Sequence, residues 1–241
     1  MPWTTDLPAK DLLGVGLYAP AEAATYIGVR PQQLVRWVYG STRGEAVVEP
    51  QFPGHREVIS FLDMVQAMAI RDMRRKEGIP LLRIRQAIGW LQEHHPEIRY
   101  PFARRHENYI MEPQRQIAIC LPGMSPADYV LQVSGRHAGQ WVLAKVLDKY
   151  LQNLEFDKGE PVVARFVPLQ RKAARVVLDP EVRFGQPRVE PSGYLVEALA
   201  EAADAEGSAE AAAWWYDIDP RQVAIALEYR NGLRGRHAKA S

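Results

Sequence analysis

The stretch from Tyr18 to Gly40, "YAPAEAATYIGVRPQQLVRWVYG", constrains the fold more than any other part of the chain. Two short apolar-periodic segments meet there at Gly28 and Pro31. Glycine accepts the left-handed backbone that ends a helix, and proline in the first turn of the next helix gives up an N–H that would lack a partner anyway. The spacing therefore predicts two helices crossing over a tight turn, with Ala24, Ile27, Val29, Leu34 and Trp37 meeting between them. Gln32, Gln33 and Arg36 are left on the opposite face, near the start of the second helix.

The next twenty residues differ in kind. Residues 39–58 carry Gly40, Gly44, Pro50, Pro53 and Gly54 around "EAVVEPQF", which reads as a small hairpin or irregular wing. Ser60 then offers an N-cap to a helix held by Leu62, Val65, Met68, Ala69 and Met73 and stopped at Gly78. A second helix puts Leu81, Ile84, Ile88 and Leu91 on one face and ends before Pro96. In these helices Arg71, Arg74, Arg75, Lys76, Arg83 and Arg85 stand against only Asp72 and Glu77. A solvated helix face explains such an excess, and so does phosphate positioning, whose strength would fall with salt.

Whole-chain charge names no partner, because 30 Lys and Arg stand against 29 Asp and Glu. The distribution says more. Residues 1–98 are balanced, 99–178 hold 12 basic and 7 acidic residues, and 179–241 hold 7 and 11, which argues against nucleic-acid contact through the acidic end. The single cysteine, Cys120, excludes an intramolecular disulfide and suits a buried strand position in "QIAICLPG", so a reducing cytoplasm is expected. The first residues lack a signal-peptide pattern and no run approaches the ~18 apolar residues of a membrane span, so no membrane association is expected. His94 and His95 are adjacent on a helix and point apart, without a further Cys or His at ligand spacing, so no metal is expected. The chain shows neither a phosphate-binding glycine loop nor a nucleophile elbow, and no catalytic residue, cofactor or enzymatic activity is expected.

Residues 99–178 mix the strand-like runs "RQIAICL", "DYVLQV" and "PVVARFV" with a helical pattern near "GQWVLAKVLDKYLQN". From Arg175, "RVVLDPEVRFGQPRVEP" reads as a strand and turn or a hairpin. Helices over 192–205, 208–215 and 219–230 come next, opened by Ser192, Ser208 and Asp219. Trp214, Trp215 and Tyr216 end the middle one; such aromatics fill a core or, in so small a unit, anchor an interface. "NGLRGRHAKAS" has two glycines and no apolar periodicity and reads as a mobile basic tail. The expected fold class is mainly α with an α+β middle part. Its units are a winged helix-turn-helix DNA-binding domain over 1–98, a small α+β region over 99–174, a small three-helix, helix-turn-helix-like domain over 175–233, and the tail over 234–241.

Two segments resemble known families. "YAPAEAATYIGVRPQQLVRW", the wing around His55 and Arg56, and "FLDMVQAMAIRDMRRKEGIPLLRIRQAI" together resemble the MerR-type winged helix-turn-helix over about the first 95 residues. The chain has Arg30 where that family often has a capping Ser, which weakens the cap or turns the side chain toward phosphate. Leu178 to Tyr229 resembles the domain-of-unknown-function family 433, through Asp179, Pro180, Phe184, Gly185, Pro187, Gly207, Tyr216, Val223, Ala226, Leu227 and Tyr229. "EPSGYLV" stands where that family usually has "GTRI". The combination is similar to VapB-type antitoxins.

That resemblance implies a protein that neutralises a PIN-domain ribonuclease toxin and represses the shared operon. Gln32, Gln33 and Arg36 would then read base edges of a palindromic operator as part of a homodimer, with Arg30, Arg43 and Arg56 at phosphates. Toxin binding would fall to Trp214, Trp215 and Tyr216, or to Arg234 or Arg236 inserted into the toxin's acidic metal-binding pocket. The alternative is a MerR-like ligand-responsive regulator in which residues 99–178 hold a small molecule.

Overall fold

The computed structural model describes residues 12–42, 44–104, 108–111, 116–119, 130–133, 138, 141–142 and 153–240. The architecture is α+β, with strands near the N-terminal helices and in the hairpin expected from Arg175 as well as in the middle part. Strand β1 (Leu17–Tyr18) leads into α1 (Pro20–Ile27) and α2 (Pro31–Tyr39). Pro20 and Pro31 occupy the first helical turns, and Gly28 at φ 67° ends α1 with its N–H on the Ala24 and Thr25 carbonyls. Ala24, Ile27, Val29, Leu34 and Trp37 are all buried at the crossing, as their spacing predicts.

The wing is irregular rather than a regular hairpin, with a lone bridge between Ser41 and Gly44. Its base is tied to α2. The N–H groups of Val47 and Val48 donate to the Trp37 carbonyl at 2.7 and 3.4 Å, and the Arg56 guanidinium donates to the Gly40 carbonyl at 2.8 Å. Gly40, at φ 72°, faces the returning chain so closely that a Cβ would lie 2.8 Å from the Ala46 nitrogen.

Strand β2 (Ile59–Ser60) pairs with β1 and runs straight into α3 (Phe61–Arg75), after which comes α4 (Leu81–His94). Ser60 and Asp63 form a capping box: the Ser60 hydroxyl accepts from the Asp63 N–H, and the Asp63 carboxylate accepts from the Ser60 N–H. The same carboxylate also accepts from the Gln51 N–H at 3.1 Å, which ties the wing to the helix start.

Strands β3 (Asn108–Met111), β4 (Gln116–Ile119), β5 (Val130–Gln132) and β6 (Trp141–Val142) form an antiparallel sheet in chain order. The helical pattern expected near Trp141 gives way to β6 at Trp141–Val142, because the cross-strand pairing of Leu131 with Trp141 overrides local periodicity. Residues 143–152 and Cys120 lie outside the described residues.

A second sheet, in the order β10-β9-β8-β7, joins β7 (Leu154–Glu155), β8 (Arg165–Gln170), β9 (Arg175–Leu178) and β10 (Arg188–Glu190). The expected boundary between 174 and 175 therefore falls between two hydrogen-bonded strands. A β-bulge separates the pair Phe166 and Leu178 from the pair Leu169 and Val176. The first pair contributes to the core under the N-terminal helices, and the second to a core beneath the C-terminal helices.

Three helices close the chain: α5 (Val196–Glu206), α6 (Ala209–Tyr216) and α7 (Pro220–Ala240). Ser208 caps α6, accepting from the Ala211 N–H, and Asp219 caps α7, accepting from the Arg221 N–H. Ser192 does not cap α5. Its hydroxyl donates to the Val189 carbonyl at 3.4 Å instead, and the helix starts at Val196 behind Leu195. The stretch expected as a mobile tail is helical, since α7 continues to Ala240 and Leu233 packs against both cores.

Besides the shared core, two side-chain hydrogen bonds join the N-terminal and C-terminal parts. Tyr18 is buried, and its hydroxyl donates to the Gly185 carbonyl at 3.0 Å. Any side chain at Gly185 would collide with that hydroxyl, its Cβ lying 2.1 Å away. The second contact is made by α7 against α1, where Arg236 donates to the Tyr26 carbonyl at 3.0 Å. Among the described residues, no helix is long and apolar enough to cross a membrane.

The capping box generates a pH test. Burial pushes the Asp63 carboxyl up from 3.8 to about 6, against hydrogen bonds from Ser60 and Gln51 that favour its charged form. Between about pH 4 and 6 the folded chain holds this proton and the unfolded chain does not, so the contribution of Asp63 to stability falls as pH rises through that window. The stabilities of wild type and Asp63→Asn, measured by urea unfolding from pH 4 to 7, are expected to lie closest at the acid end. As pH rises they should diverge in favour of the variant, by on the order of 2–3 kcal/mol. Parallel curves for the two proteins would contradict this.

Candidate functional site

Helix α2 presents its polar side as the sequence predicts. Gln32 and Arg36 are exposed and Gln33 is half-buried, while Leu34, Trp37 and Val38 fix the helix from below. Arg30 is the N-cap residue by its extended backbone, but its side chain makes no capping hydrogen bond and is exposed. The cap is therefore weak and the guanidinium is exposed to solvent, which is compatible with both roles open to this departure. Arg56 is exposed with one N–H committed to the Gly40 carbonyl, so it holds the wing to the end of α2 as well as lining its outside. Arg43 lies outside the described residues.

The basic excess on α3 and α4 proves more structural than a solvated face would be. Arg74 donates to the Ile79 carbonyl at 3.3 Å, closing the turn between the helices, and Arg85 donates to the Glu45 carbonyl of the wing at 2.8 Å. Arg71 and Arg75 reach the end of α1, donating to the Ile27 and Gly28 carbonyls. Arg236, from the far end of the chain, takes the Tyr26 carbonyl. Three successive carbonyls at the negative end of α1 thus accept from three arginines of two other helices.

These side chains border a cleft of about 700 Å³ between the α1–α2 turn, the end of α3 and α7. Arg30 and Gln33 line its α2 side, and Asp72 and Lys76 its α3 side. Among the described residues, Asp72 is the one carboxylate in the lining, and it is already paired with Arg71 and with Lys76 at 2.9 Å.

At the other end of the molecule, the aromatic cluster divides. Tyr216 packs against the C-terminal core and meets the Tyr194 ring edge-on at 4.7 Å. Trp214 and Trp215 stand out from α6, 75% and 66% exposed, with their rings 5.1 Å apart. Neither indole therefore fills the C-terminal core. Arg234 and Arg236 diverge along α7. Arg234 is exposed near Asp204, whose carboxylate receives the Arg230 guanidinium at 2.7 and 2.8 Å, whereas Arg236 faces α1. Among the described residues, no group of three or more His, Cys, Asp or Glu side chains is gathered as metal ligands would be.

No family model matches the chain. "Putative antitoxin VapB45" of Mycobacterium tuberculosis is 27% identical, across 89% of this chain and 93% of that protein. The chain is similar to a VapB-type antitoxin over most of its length. A crystal structure of Rv2018 from Mycobacterium tuberculosis superposes with a TM-score of 0.58 at 25% identity, covering 89% of this chain and 99% of that one. The likeness spans nearly the whole of both partners, so it is not confined to the helix-turn-helix or to the aromatic end.

No local pattern foretells the Arg236 contact, which spans 210 positions. Nor does one mark the left-handed run of Arg183, Phe184 and Gly185, at φ 48°, 56° and 82°, which leaves Phe184 exposed beside the Tyr18 contact. Because Trp214 and Trp215 contribute little to the core, Trp214→Ser and Trp215→Ser are expected to leave thermal stability within about 0.5 kcal/mol of wild type. A calorimetric loss of about 2 kcal/mol or more in either variant would instead make that indole structural.

Proposed function

We propose that this chain is the antitoxin of a type II toxin–antitoxin pair, acting by binding alone and without catalysis of its own. Its end-to-end similarity to a VapB-type antitoxin carries the reading. In this reading a PIN-domain ribonuclease is the protein partner, docked on the α6 face through Trp214 and Trp215, with Tyr216 supporting them and the exposed Arg234 at the rim. Two copies read a palindromic operator and repress the shared operon. Gln32, Gln33 and Arg36 reach base edges, and Arg30, Arg43 and Arg56 reach phosphates on either side of the recognition helix. The exposure of Gln32 and Arg36 on a helix whose other face is fully packed supports this use.

Two experiments test the parts separately. Gln32→Ala combined with Arg36→Ala should abolish retardation of the promoter fragment in a gel shift while leaving the circular dichroism spectrum unchanged; undiminished retardation would remove α2 from the operator face. Co-expressed with the PIN-domain protein of its own operon, the wild type should restore growth, and Trp214→Ser with Trp215→Ser should fail to restore it and fail to co-purify with the toxin. Full rescue by that double variant would place toxin binding elsewhere.

A further inference from the structure

The cleft beside α2 carries more positive charge than its structural work explains. Arg30, Arg71, Arg75, Lys76 and Arg236 line it against Asp72 alone, which leaves a surplus of four positive charges in one concavity. The end of α1 accounts for part of this, since a helix C-terminus carries roughly half a negative charge. Three guanidiniums on that terminus exceed it severalfold. Each gives an N–H to a carbonyl of Tyr26, Ile27 or Gly28, Arg71 also pairs with Asp72 and Arg236 with the Gly232 carbonyl, and all three remain in the cleft lining. Arg30, on the opposite wall, has an exposed side chain that caps nothing.

A concave cationic surface built from three separate helices, with its guanidiniums held in place by backbone carbonyls, is suited to the non-bridging oxygens of a phosphodiester. Its position selects the source. Gln33 lines the cleft, and Gln32 and Arg36 lie on the same short helix, so a phosphate held there sits within about one helical turn of the residues placed at base edges. We propose that this cleft is a backbone-phosphate site for the duplex that α2 reads, and that Arg236 of the C-terminal helix is one of its ligands. The proposal rests on the operator-binding reading and extends it: the end of the chain assigned to the toxin also supplies a DNA contact.

The test uses the full chain and two fluorescent duplexes, the DNA upstream of its own gene and a scrambled version, with anisotropy read from about 50 to 200 mM salt. Arg236→Gln removes the charge, and its amide, two bonds shorter than the guanidinium, also gives up the Tyr26 carbonyl. It should weaken binding to both duplexes by the same factor, roughly three- to tenfold, and reduce the slope of log affinity against log salt by about 0.9. Arg236→Lys should keep the slope, and Lys158→Gln, which removes the same charge from the β7–β8 turn, should match wild type. Arg30 and Lys76 make no contact with α1 carbonyls, so an equal loss of slope in Arg30→Gln and Lys76→Gln separates phosphate binding from any effect on helix docking.

Unchanged affinity and slope in Arg236→Gln would overturn the proposal, and a loss of sequence preference in Arg36→Ala under the same conditions would show that operator reading survives it. If the wild type binds neither duplex, operator reading fails and the cleft assignment falls with it. If inorganic phosphate raises the melting temperature in an Arg236-dependent way without competing with duplex, the cleft belongs to a small anion and the proposal is again overturned.

Discussion

The carbonyl end of helix α1 is the point on which the rest of the N-terminal part depends. Gly28 turns the chain there, and the carbonyls of Tyr26, Ile27 and Gly28 lie past the last donors of their own helix. Arg71 and Arg75 of α3 and Arg236 of α7 supply donors instead. A hydrogen bond to a charged donor is worth about 1.5–3 kcal/mol, and favourable cation–dipole geometry adds to it. The same contacts set the angle between α1 and α3 and bring α7 against the turn. The orientation of α2 is a result, because Val29 and Pro31 leave little freedom between the pinned turn and that helix.

Much of this was legible in local chemistry. Gly28 with Pro31 announced the crossing helices, and Ser60, Ser208 and Asp219 announced helix starts, because caps and left-handed turns depend on residues within a few positions. Gln32 and Arg36 could be placed outside by the burial of Leu34 and Trp37 alone. What failed was everything decided at long range. Ser192 has capping chemistry, but its hydroxyl is on the Val189 carbonyl and its N–H on Gln222 across the fold. "NGLRGRHAKAS" contains two glycines that weaken a helix by about 1 kcal/mol each, and the packing of Leu233 together with the Arg236 contact outweighs them. The strand at Trp141–Val142 owes its state to a partner in β5, not to its own periodicity.

Charge and apolar surface are segregated in a way that suits two partners of opposite character. The cations gather at the helix-turn-helix, where the described lining of the cleft holds one carboxylate. The exposed indoles stand in the acidic part of the chain, on α6 between Glu210 and Asp217. An anionic backbone is repelled from the second surface and attracted to the first, so the two proposed interactions need not compete for the same face. Arg234 and Arg236, two residues apart on α7, fall on opposite sides of that divide.

The bulge in β8 has a consequence for how the molecule comes apart. One pair of cross-strand residues, Phe166 with Leu178, belongs to the first core, and the next, Leu169 with Val176, belongs to the second. A single pair of strands is therefore common property of two apolar interiors. Fraying of these strands would loosen both interiors together, so the β8–β9 pair links the two ends of the chain energetically.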